Sequence, residues 1–140
     1  MMSEMNLEDG KNWSFLTCIA YSYIAFTGLT HGDLKEEELQ VILSCLKEWS
    51  PAATDDEIME ACTIAHSWFI EDMEENAVST NVTALAHKLN VDEFEGNERT
   101  KKSFLDDLVR ISIADSNFED NEKALIMVFA DVFGLSEYHV

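Results

Sequence analysis

Asp115, Asn117, Glu119 and Glu122, within the stretch "DSNFEDNE" at 115–122, are all oxygen donors. Hard divalent cations are held by sets of this kind, carboxylates with amide or backbone carbonyls. A second stretch, "HGDLKEEE" at 31–38, offers His31, Asp33 and Glu38 in a comparable order. The opening "DSNFE" has the 1, 3, 5 spacing of an EF-hand loop, but the match stops there. Asp120 stands where that loop needs glycine, and Ile126 stands where it needs its bidentate glutamate. An EF-hand is therefore excluded, and any cation site must be built differently. A side chain leaving the turn and one leaving the second turn of the following helix are expected to converge beside the loop.

Helix capping explains part of the same pattern without any ligand. Asp33 and Asn117 have good N-cap side chains, and Glu36 and Asp120 three places later complete capping boxes, each contributing about 1 kcal/mol. Acids in a first turn also suit the positive end of the helix dipole. Capping read this way leaves Glu38 and Glu122 unexplained in the second turn, and His31 and Asp115 ahead of it. Those four residues are the reason to consider a cation.

The elements that must position them are helical. Sustained alternation and Asn-Gly or Asp-Gly hairpin signals are missing, whereas apolar residues recur at three and four throughout. The pattern predicts helices over 13–29, 34–49, about 54–76, 80–90, 98–114 and 119–133. The inward residues expected in 34–49 are Leu34, Leu39, Ile42, Leu43, Leu46 and Trp49. Further along they are Ile58, Ala61, Cys62, Ala65, Trp68 and Phe69, then Val82, Leu85, Ala86 and Leu89. The last two helices are expected to bury Phe104, Leu105, Leu108, Val109 and Ile111, and Leu125, Ile126, Phe129, Val132 and Phe133. Pro51 stops the second helix, and Thr54 with Glu57 makes a capping box for the third. Gly96 marks a break, Gly134 a left-handed C-cap, and Ser136 the start of a final short turn. The expected fold is all-α, a compact bundle of six or seven helices in one domain spanning 1–140.

The two acidic stretches belong to a longer repeat. An offset of 84, from His31 to Asp115, also sets Glu38 on Glu122, Val41 on Leu125, Ile42 on Ile126 and Trp49 on Phe133. The expected architecture is two pseudo-symmetric helix-turn-helix halves, about 13–49 and 98–134. Middle helices at about 54–90 join them.

On these residues the chain resembles a known family. "IADSNFEDNEKALIMVFADVFGLSE", 113–137, looks like the second signature of the TerB-like tellurite-resistance family. "GLTHGDLKEEELQVILSCLKEW", 28–49, looks like the first. The second signature comprises an Ala-Asp-Gly turn, an acidic helix start with a fixed glutamate, and a closing Leu-Gly-Leu-Ser type stretch. The resemblance spans about 13–137. It implies an all-α, non-enzymatic cytoplasmic domain linked to stress and metal-ion responses, with divalent cations at the acidic turns. By position the implied ligands are Asp115 and Glu122 in the second copy and Glu38 in the first. His31 stands where the family has Asp, and Ser116 where it has Gly. Histidine would tilt the first site from calcium toward zinc, or that copy has lost its metal.

Bulk charge narrows the partners. Twenty-eight Asp and Glu against nine Lys and Arg give a formal charge of −19. Such a field repels nucleic acid and anionic lipid and attracts cations and basic proteins. The run "WSFLTCIAYSYIAFTGL" at 13–29 is shorter than a span, contains hydroxyl residues and follows an acidic flank. It is expected to be a buried core helix of a cytoplasmic protein rather than a membrane insertion. Cys18, Cys45 and Cys62 are expected as buried free thiols. His66, His87 and His139 read as satisfied core or boundary residues rather than ligands, and Trp13, Trp49 and Trp68 as core. "EDMEEN" at 71–76 reads as a solvated acidic helix end. A nucleophile beside a base, a phosphate loop and HExxH are all missing, so neither an enzyme nor an organic cofactor is expected. Two functional readings remain: divalent-cation binding at the repeated turns, or a metal-independent acidic module that docks a basic protein.

Overall fold

The computed structural model describes residues 14–30, 35–88, 101–114, 120–135 and Tyr138, and folds them into six helices with no strand among them. The order is α1 (Phe15–Thr30), α2 (Glu36–Trp49), α3 (Asp55–Glu74), α4 (Val78–Lys88), α5 (Lys101–Ile113) and α6 (Asp120–Val132). The expected all-α bundle is what is observed. The breaks expected at Gly96 and Ser136 lie outside the described residues.

α1 is the axle. Every residue from Thr17 to Thr27 is buried, as expected of a helix that is apolar on all sides. α3 makes the most extensive contact with it, and α2, α4, α5 and α6 all touch it. Its first turn is capped by Ser14, whose Oγ accepts the Thr17 N–H at 3.2 Å. Thr30 donates locally to the Phe26 carbonyl at 2.8 Å, whereas the buried Ser22 Oγ has no hydrogen-bond partner among the described residues. Gly28 lies under the ring of Phe69 from α3, where any Cβ would collide with it. None of the described helices is long and apolar enough to cross a membrane.

The surrounding helices are each apolar on one side. α2 buries Glu38, Ile42, Cys45, Leu46 and Trp49. α6 buries Glu122, Ile126, Phe129 and Ala130, with Phe133 just beyond its end. Each of those five positions lies 84 residues after its α2 counterpart, so the burial register repeats at the offset read from the sequence. Leu39, Leu43, Trp68, Val109, Leu125 and Val132 were expected inward, but they sit half-buried at the margin and pack against the core. Phe104 forms the aromatic centre, with the rings of Tyr23, Phe129 and Phe133 at 5.1, 5.2 and 5.3 Å.

Helix ends follow their residues. Thr54 Oγ1 accepts the Glu57 N–H at 3.1 Å, and Glu57 returns a carboxylate to the Thr54 N–H at 2.7 Å. Gly134 adopts φ 76°, and the Leu135 N–H reaches the Ala130 carbonyl at 2.8 Å, which makes a Schellman ending. α3 ends the same way on Asn76, with φ 56° and the Ala77 N–H on the Asp72 carbonyl at 2.8 Å. One start was misplaced. α2 begins at Glu36 with Lys35 as its N-cap, so Glu36 is the first helical residue rather than the third-position partner of a capping box; Asp33 lies outside the described residues.

Candidate metal centre at the two acidic turns

Of the seven candidate ligands, Glu38 and Glu122 are described; His31, Asp33, Asp115, Asn117 and Glu119 lie outside the described residues. Both glutamates are wholly shut off from solvent. Both stand third in their helices, since α2 starts at Glu36 and α6 at Asp120. Glu38 Oε1 accepts the Lys35 N–H at 3.1 Å. Capping therefore does account for one oxygen of Glu38, contrary to expectation, because the helix starts two residues later than side-chain preference suggested. Its other oxygen, Oε2, is buried as well.

One contact joins the two stretches. Asn121 Nδ2, in the first turn of α6, donates to the carbonyl of Thr30, the last residue of α1, at 2.9 Å. The flank of the first acidic stretch is thereby tied to the second stretch itself. Among the described residues, no three His, Cys, Asp or Glu side chains form a cluster able to hold a metal ion. His66 and His87 are exposed on α3 and α4, and His139 lies outside the described residues.

Two buried carboxylates were missed. Asp72 falls within "EDMEEN", read as solvated, yet it has no exposure. Its Oδ2 accepts from the Tyr21 hydroxyl at 2.5 Å and from Asn81 Nδ2 at 2.7 Å, while Oδ1 has no hydrogen-bond partner among the described residues. Asp107, equally buried, accepts from the Tyr23 hydroxyl at 2.7 Å and from Trp49 Nε1 at 3.0 Å, and Arg110 meets its Oδ1 at 3.2 Å. Periodicity carried the signal: Asp72 follows Phe69 by three, and Asp107 lies between Phe104 and Ile111 on the buried face of α5. Burial, and then the charge and hydrogen bond of Asp107, push the Tyr23 hydroxyl well above its ordinary range. Burial and the hydrogen bond to Asp72 push Tyr21 up likewise. Both phenols therefore stay protonated and serve as donors that hold α3 and α5 to α1.

The thiols are inert by the same physics. Cys18, Cys45 and Cys62 are free and buried, as expected. Burial, followed by the nearby Asp107 charge, raises Cys45, and burial raises Cys62, so neither is a ready thiolate nucleophile. An apolar crevice of about 230 Å³ opens between α1, α4 and α6, lined by Leu29, Val82, Ala86, Leu125, Val128 and Val132. It contains no charged group and has no ligand for a metal.

Compared with protein-family models, with curated proteins and with solved structures, the chain matches none. The resemblance to the TerB-like family thus rests on the two quoted stretches alone.

Proposed function

We propose that this chain is a non-enzymatic, TerB-like helical domain that binds a divalent cation at its paired acidic turns, within a stress or tellurite-resistance response. What carries this reading is the pair Glu38 and Glu122, each wholly buried at the third position of its helix and 84 residues apart. Burying a carboxylate costs several kcal/mol unless charge or hydrogen bonds compensate it. A backbone cap compensates Glu38 in part, and a cation beside the two carboxylates would compensate their charge directly. The Thr30–Asn121 hydrogen bond supports the reading, since it ties the flank of the first stretch to the second.

The donor set fits the group. Asp115, Asn117, Glu119 and Glu122 are oxygen donors suited to calcium, whereas His31 with Asp33 and Glu38 suits zinc as well. The metal would supply positive charge and cross-linking between the turns, and no catalytic step is assigned to it.

Calorimetric titration of chelator-stripped protein with calcium, magnesium and zinc, at constant ionic strength, tests the proposal. Saturable binding at one or two sites is expected, weakened by Glu38→Gln and lost in Asp115→Asn/Glu122→Gln, with helicity unchanged. Binding no stronger than the diffuse attraction of a −19 surface, or identical binding by the variants, would reject it.

A further inference from the structure

α3 presents an outward line of exposed residues, apolar toward both ends and polar in the middle. Met59, Ile70 and Met73 are 48%, 46% and 47% exposed, and Thr63 and His66 between them are exposed too. From Met59 the spacing is four, three, four and three, the repeat by which one helix presents a seam to another. The inward face, built on Ile58, Ala61, Cys62, Ala65, Phe69 and Asp72, lies to one side of this line. At 1.5 Å per residue the seam is about 21 Å long.

Charge determines what fits it. Asp56, Glu60, Glu71 and Glu74 are exposed along the solvent flank of the seam, and Asp55 lies at its start. α3 contains no lysine or arginine. A second copy of the chain would bring an equal acidic flank against this one, and an anionic surface would be repelled in the same way. Two of the three apolar residues on this line are methionines, whose flexible thioethers repack around differing apolar partners. We infer that the Met59–Met73 face of α3 is a docking seam for a basic amphipathic helix of a partner protein. Apolar side chains of that helix lie along the seam, and its lysines or arginines meet the acidic flank. This is helix-on-helix recognition, with apolar side chains of the partner at three- and four-residue spacing along the line. It is independent of cation binding at the turns, which lie on other helices.

The test uses the full chain and a synthetic helical peptide of about 18 residues, with leucine at three- and four-residue spacing and lysine elsewhere. One-to-one binding is expected in calorimetry. It should weaken by at least about tenfold in Met59→Ser/Ile70→Ser/Met73→Ser. That variant keeps every charge. Val128→Ser on α6, where the valine is 54% exposed, should bind like the parent. Should the triple variant fail to fold by circular dichroism, Ile70→Ser alone must weaken binding several-fold. Undiminished binding by the serine variants, or equal binding of a scrambled peptide of the same composition, would reduce the attraction to net charge and overturn the inference. Self-association of the free chain that the serine variants abolish would overturn it in favour of a second copy.

Discussion

At the residue scale, Tyr21 and Tyr23 define how the axle is gripped. Two positions apart on a helix, they lie about 200° apart around it, so each secures a different neighbour. Tyr21 reaches Asp72 on α3, and Tyr23 reaches Asp107 on α5. The two carboxylates differ in what remains after a tyrosine is cut back. Asp107 keeps Trp49 and Arg110, whereas Asp72 keeps Asn81 and has no cation in its hydrogen-bond set. Tyr21→Phe and Tyr23→Phe should each cost about 1–3 kcal/mol, with the Tyr21 loss the larger. Urea denaturation of the two variants measures the order, and a reversed order would contradict this account of Asp72. The burial of both aspartates was legible from period alone. Their partners were not, because nothing local in "EDMEEN" reports a tyrosine 51 residues earlier.

Elements were legible where the signal is local. The Thr54–Glu57 box and the Gly134 ending depend on residues within a few positions of each other, and both formed as read. The start of α2 did not. Asp33 is the better capping side chain, yet the helix starts on Lys35 and Glu38 turns back to serve as its cap. The candidate site inherits that difference, because the glutamate suspected as a ligand is also part of the helix start. Gly28 illustrates the same limit. Propensity alone favours alanine over glycine inside a helix by about 1 kcal/mol, so Gly28→Ala should stabilise α1 in isolation. The Phe69 ring occupies the space that a methyl needs, and Phe69 is itself buried. Overpacking reverses the sign, and Gly28→Ala should destabilise the protein by about 1–3 kcal/mol. Adding Phe69→Leu should recover part of that loss. A thermal melt of the single and double variants would show it, and a stabilised Gly28→Ala protein would mean the ring is free to move.

For the whole molecule, a charge of −19 on 140 residues opposes compactness through self-repulsion. Raising sodium chloride from about 0.02 M to about 0.5 M shortens the screening length to a few ångströms and should raise the urea midpoint. A midpoint that falls or stays level would show the surface charges to be already compensated. Any divalent effect must therefore be compared at matched ionic strength, or screening will be mistaken for a site. The apolar spacing that matches at an offset of 84 was legible in the sequence, and burial in α2 and α6 keeps that register. It also has a meeting point: Tyr23 bonds Asp107, and the two positions are themselves 84 residues apart. Two identical polypeptides paired about a two-fold axis would face like with like at such a point, tyrosine to tyrosine or carboxylate to carboxylate. A single chain is free of that obligation. Donor and acceptor can differ at equivalent positions, where a symmetric dimer would have to make them the same, so covalent continuity permits a tyrosine–carboxylate bond there that a homodimer could not make.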